Sequence, residues 1–116
     1  MGMKLAFTGD ICFGDIEKFT DDPFRHIVTE LSKLNCVVNL EAVFLPRSYH
    51  EDPIKQKICL RQNDETITYL RQLKPFLVNL ANNHINDYGN FGANNTIKQL
   101  ELADLRYFGA GYSHQD

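Results

Sequence analysis

The sequence predicts an α/β fold of the order β-α-β-α-β-α-β, with a mostly parallel sheet flanked by helices. Two observations lead there. Short apolar, β-branched runs alternate with segments whose apolar residues recur at helical spacing. Each run also stops at turn-forming or polar residues, as a buried strand does when it leaves a sheet. The chain has 116 residues and lacks internal repeats and low-complexity tracts, so it reads as a single domain, 1–116. A chain of this size buries roughly two thirds of the surface it exposes when unfolded.

Met3 to Thr8 is the first strand, stopped by Gly9-Asp10. A helix follows, with Asp22 as N-cap, Pro23 in its first turn, and an apolar stripe of Phe24, Ile27, Val28, Leu31 and Leu34. Cys36-Val37-Val38-Asn39-Leu40 is the second strand, ending at Glu41. From Leu45 to Lys57 the prolines and polar residues predict a loop, after which Ile58-Cys59-Leu60 predicts a brief edge strand. Asn63-Asp64 caps a second helix that carries Ile67, Leu70 and Leu73 and is ended by Pro75. Phe76 to Leu80 is the next strand and runs into Ala81-Asn82-Asn83-His84. A third helix from about Gly92 to Asp104 buries Ala93, Ile97, Leu100 and Leu105, and Arg106-Tyr107-Phe108 is the last strand, stopped by Gly109-Ala110-Gly111. Alternation of this kind implies right-handed crossovers and a sheet covered on at least one face.

Composition narrows the function. Hydrophobic residues at 43% and charged residues at 23% are those of an ordinary globular chain. The net charge is −3 and the 12 basic residues form no block, so nucleic acid is not an expected partner. The N-terminal residues lack a signal-peptide core and no window reaches the ~20 apolar residues of a membrane span, so this chain is expected to carry no membrane segment and to be cytoplasmic. Cys12, Cys36 and Cys59 match neither a disulfide framework nor a CxxC clip, and Cys36 and Cys59 are expected as buried strand residues.

In an open α/β sheet the ligand crevice lies beyond the carboxyl ends of the strands. Those ends supply Asp10, with Cys12 just beyond it, then Glu41, then Asn82, Asn83 and His84 with Asp87, then Gly109 and Gly111. Two carboxylates, an amide and an imidazole on one edge suit a divalent cation such as Mn²⁺, Fe²⁺, Zn²⁺ or Mg²⁺. Glu41 is the candidate bridge between two metals, an Asn amide adds an uncharged oxygen ligand, and His84 is placed to protonate a leaving oxygen.

Gly9-Asp10-Ile11-Cys12-Phe13-Gly14, Asn39-Leu40-Glu41, Leu80 to Gly89 and Gly109-Ala110-Gly111 resemble successive motifs of the CapA-type capsule-synthesis proteins, which are similar to calcineurin-like metallophosphoesterases. The resemblance runs over essentially the whole chain, and Ala81-Asn82-Asn83-His84-x-x-Asp87-Tyr88-Gly89 is its most specific piece. It implies half of a metallophosphoesterase-like sandwich, with Asp10, Glu41 and Asn83 as metal ligands and His84 as the catalytic histidine. It also implies a link to capsule or poly-γ-glutamate biosynthesis, with hydrolysis of a phosphoester or amide-like bond by metal-activated water. The substrate is then a small molecule or a polymer. Two departures stand against this pattern: Cys12 occupies the place of an imidazole in the wider superfamily, and the further histidines of the family's second half are absent from these residues.

Each residue also has a plainer reading. Asp10 can be a turn-former, Glu41 a solvated residue, one of Asn82 and Asn83 a turn residue, and Asp87 a support for the loop and the following helix. Gly109 and Gly111 read most simply as a turn, and His26, His50 and His114 as solvated side chains. The alternative function is a non-catalytic binding or assembly module with an incomplete metal site. An uncovered sheet face predicts either self-association, as a homo-oligomer, or a C-terminal half supplied beyond these residues.

Overall fold

A computed structural model describes residues 2–14, 16, 24–53 and 58–112. The elements are β1 (Leu5–Ile11), α1 (Arg25–Leu31), β2 (Asn35–Leu40), β3 (Val43–Leu45), β4 (Arg61–Asn63), α2 (Ile67–Gln72), β5 (Leu77–Asn79), α3 (Gly89–Leu102) and β6 (Tyr107–Phe108). A short 3-10 turn, Asp64–Thr66, leads into α2. Four strands form a parallel sheet in the order β1-β2-β5-β6, which bears out the α/β expectation. Among the described residues no helix is long and apolar enough to cross a membrane.

The core fills one side of that sheet. Cys36, Val38, Leu40, Val78 and Leu80 alternate along their strands with residues facing the other way and meet Leu70, Leu73, Ile97 and Leu100 from the helices. Beyond β1, Phe13 is 1% exposed and its ring meets Phe24 edge-on at 5.3 Å, with Tyr69 at 5.9 Å. That cluster anchors the loop that leaves the site edge.

Several expectations are corrected. β1 does not stop at Gly9; it runs on through Asp10 to Ile11, with a register shift between Phe7 and Asp10. Such a bulge adds a residue to one strand and re-aims the side chains that follow. Val43–Leu45 is a strand rather than the entry to a loop, and it pairs in parallel with Arg61–Asn63, forming a second small sheet. The edge strand expected at 58–60 therefore lies three residues later, and Cys59 is half-buried outside any strand. Asn63 makes no side-chain cap hydrogen bond; the nearby polar groups pair instead as Thr66 Oγ1 to Asn63 O at 2.7 Å and Asn95 Nδ2 to Asp64 Oδ1 at 2.8 Å. In α1 the stripe is only partly buried: Phe24, Val28 and Leu31 pack on the core while Ile27 and Leu34 stay exposed. α3 begins at Gly89, three residues ahead of expectation, and Ala93 is half-buried. The expected cap at Asp22, Pro23 and the tail histidine His114 lie outside the described residues.

Candidate functional site

The carboxyl edge of the sheet carries a row of side chains joined across three strands. Asp10 pairs with Asn39 and Asn39 with Asn79 in the strand register, so all three project from the same face. Asn39 Nδ2 donates to Asp10 Oδ1 at 2.5 Å, while Asn39 Oδ1 accepts from Asn79 Nδ2 at 3.1 Å and Asn82 Nδ2 at 3.2 Å. The Glu41 amide donates to Ile11 O at 3.0 Å, extending the ladder by one residue, and Glu41 follows on the same face two residues after Asn39. Asp10 is exposed; the Glu41 side chain is 21% exposed.

Beyond β5 the chain turns on its asparagines. Asn82 Nδ2 donates to Leu40 O at 2.9 Å and Asn82 Oδ1 accepts the His84 amide at 3.0 Å, a local side-chain turn of the kind Asn forms readily. Asn82 is thus the turn residue, and Asn83 stands exposed beside it. The turn delivers His84 to Asp87, whose carboxylate is 0% exposed: His84 Nδ1 lies 2.6 Å from Asp87 Oδ2. The Leu60 amide donates to the same oxygen at 2.9 Å. Because an ionised carboxylate only accepts, Nδ1 carries a proton, and in the neutral imidazole Nε2 is the acceptor. Glu41 Oε1 is 3.9 Å from that Nε2.

The structure therefore brings Glu41, His84 and Asp87 together and ties Asp10 to them through Asn39 and Asn82. Asp87 does more than close a loop, since it orients the imidazole. Four contributors were missed from sequence: Asn39, Asn79, the Leu60 amide and Gln62. Gln62 is 1% exposed, accepting from the Phe13 amide at 2.8 Å and donating to Ala42 O at 2.7 Å, so it binds the loops after β1 and β2 to each other. Asn39 had a signal, a polar residue inside an apolar strand run; Gln62 had none.

The remaining expected positions stand apart. Cys12 is exposed, and His26 and His50 are exposed as expected. Gly109 has φ +91, and a Cβ there would meet Ala81 N at 2.6 Å, so its place is explained by close packing of the two strand ends. Gly111 lies in the same turn, beside a cavity of ≈530 Å³ lined by residues 107–111.

Among the described residues no group of three or more His, Cys, Asp and Glu side chains is placed to share a metal ion. These residues do not build a closed four-ligand zinc site. The donor chemistry of Asp10, Glu41 and the Asn83 amide, all oxygen, is that of a hard cation of the Mg²⁺ or Mn²⁺ kind, which keeps several of its waters.

Comparison with known proteins agrees with the motif resemblance. Residues 4–116 match the family of the bacterial capsule synthesis protein PGA_cap. The chain is 33% identical to the capsule biosynthesis protein CapA of Bacillus anthracis, over 98% of this chain and 30% of that protein. It is 30% identical to the PGA biosynthesis protein CapA of Bacillus subtilis, over 98% of this chain and 32% of the relative. A probable polyglutamine synthesis accessory protein of Mycobacterium tuberculosis is 33% identical over 66% of the chain and 20% of its own length. The chain thus spans about a third or less of each of these relatives, and it belongs to the bacterial capsule synthesis protein family.

Proposed function

We propose that this chain carries a hydrolase-like site of a protein acting in capsule or poly-γ-glutamate biosynthesis, on the carboxyl edge of β1, β2 and β5. The observation that carries the reading is the held imidazole: Asp87 and Leu60 fix His84 from behind, and Nε2 faces Glu41. The names of the relatives supply the biosynthetic setting. In this reading His84 moves a proton at Nε2, to or from the oxygen or nitrogen of a phosphoester or amide-like bond, a step that contributes about 10²–10⁴-fold in rate. Asp87 keeps the ring in one tautomer. Asn39 holds the Asp10 carboxylate in place and, through Asn82, sets the position of the His84 backbone.

Asp10, Glu41 and Asn83 are the residues that would hold a divalent ion. When bound, such an ion supplies Lewis acidity toward the oxygen of the scissile group.

Calorimetric titration with Mn²⁺, beside an Asp10→Ala, Asn83→Ala double variant, tests the metal. Hydrolysis of p-nitrophenyl phosphate and γ-glutamyl-p-nitroanilide, beside His84→Ala, tests the chemistry. Binding on the order of micromolar or tighter, lost in the double variant, with turnover lost in His84→Ala, is the expected result. The lack of a three-donor group among the described residues favours a second reading, a non-catalytic binding or assembly module. Neither Mn²⁺ binding nor turnover in the unaltered chain would leave that reading standing.

A further inference from the structure

We infer that the groove on the outer face of α3 binds an uncharged pyranose unit of a saccharide. Phe91, Asn94, Asn95 and Lys98 recur at helical spacing on one side of α3, away from Ile97 and Leu100 in the core. With Pro46 and Tyr112 they line a cavity of ≈400 Å³, within the usual size of small-ligand sites, about 300–1,000 Å³. Phe91 and Tyr112 are each 51% exposed although both are aromatic. Single exposed rings are ordinary; two on one cavity mark a surface that expects contact.

The Phe91 ring rests on a fixed support. It stacks on Tyr49 at 4.8 Å and 7°, and Tyr49 meets Tyr88 edge-on at 6.3 Å. The Arg61 guanidinium lies 5.9 Å and 5.7 Å from those two ring centres and donates to Tyr49 O at 2.8 Å and Pro46 O at 3.2 Å. A ring held in this way loses little freedom when a ligand covers it.

Charge and polarity select the ligand class. Among the described residues that line the groove Lys98 alone is charged, and Tyr112 beside it donates to the Glu101 carboxylate at 3.3 Å, so the groove has no cluster of positive charge for a polyanion. Three of the four helix positions are polar, which leaves too narrow an apolar stripe for a helical peptide, and the α3 backbone is used within the helix and offers no strand edge. A pyranose meets both features. Its C–H face carries the partial positive charge that an aromatic face attracts, and its hydroxyls donate to and accept from the Asn94 amide and accept from Lys98. The proposal stands apart from the carboxyl-edge chemistry, since binding here needs neither metal nor turnover.

Saturation-transfer NMR and calorimetry with chitotetraose, cellotetraose and tetragalacturonate test it. Saturable binding of a neutral tetrasaccharide is expected, weakened about three- to tenfold in Phe91→Ala and retained in Phe91→Trp, with the thermal melting of both variants following the unaltered chain. The proposal is overturned if neither neutral tetrasaccharide binds, if Phe91→Ala binds as tightly as the unaltered chain, or if only tetragalacturonate binds, which would identify an anion site.

Discussion

Asp87 is the residue on which the site turns. Its single oxygen Oδ2 receives both the His84 imidazole and the Leu60 amide. A carboxamide can still accept from both through its one oxygen, but it replaces a charged acceptor with a neutral one and buries an NH2 group in place of Oδ1. Asp87→Asn is expected to lower stability by about 1–3 kcal/mol, read from denaturant unfolding. Under the proposed chemistry it also removes most hydrolysis, because a neutral carboxamide no longer stabilises the imidazolium that forms during proton transfer. Asp64 gives a second prediction. Burial pushes its carboxyl above the usual range, against the pull of the hydrogen bond from Asn95. Between its ordinary value of 3.8 and the raised folded value, the folded chain keeps a proton that the unfolded chain releases. Stability therefore falls as pH rises through that window and stays lower above it. Asp64→Asn keeps an acceptor for Asn95, so its melting temperature should exceed that of the unaltered chain at neutral pH, with the gap closing in acid. The places of Asp10, Glu41 and His84 along one sheet edge were legible in sequence because each stands at the end of an apolar strand run. Asn39 and Gln62 were less so, because an amide's value lies in partners far away in the chain.

At the scale of elements, legibility follows how local the determinants are. β2 and β5 are apolar runs whose alternation declares a strand, and both lie where the pattern puts them. β3 and β4 are three residues each, and their pairing joins Val43 to Arg61 and Leu45 to Asn63 across the intervening loop. Arg61-Gln62-Asn63 has no apolar residue at all, and it is a strand because Gln62 is buried between two loops and Arg61 is held by backbone carbonyls. The β5 and β6 ends make a sharper prediction. Gly109→Ala puts a Cβ against the Ala81 backbone at a positive φ, with no flexible side chain to yield. A loss of about 1–3 kcal/mol is expected. Hydrogen exchange should show that loss first at Leu80, whose amide donates to Phe108 O at 2.9 Å.

At the scale of the whole molecule, the described residues cover one face of the sheet and leave the other open. Helices lie over the first; on the second, Phe7, Val37, Asn39, Asn79 and Phe108 line a shallow cleft of ≈270 Å³. Phe7 is 74% exposed and Leu5 47%, both on the edge strand β1, and Phe108 is 45% exposed on the opposite edge strand β6. An apolar patch that spans four strands is on the order of the few hundred Å² at which surfaces begin to mediate contacts. The same face is polar toward the carboxyl edge, where Asp10, Asn39 and Asn79 lie, so a covering layer would meet the apolar end and leave the site row open. For the 116-residue chain by itself, the expected occupant of that face is a second copy, because a flat apolar surface is complementary to itself under a two-fold axis. Sedimentation velocity over a concentration series should show a coefficient that climbs with concentration. Phe7→Lys, which sets a charge on the most exposed ring of the patch without touching the core, should hold the chain at the monomer value. A concentration-independent monomer in the unaltered chain would mean that its apolar strand residues tolerate water as they stand, and self-association would then have to be given up.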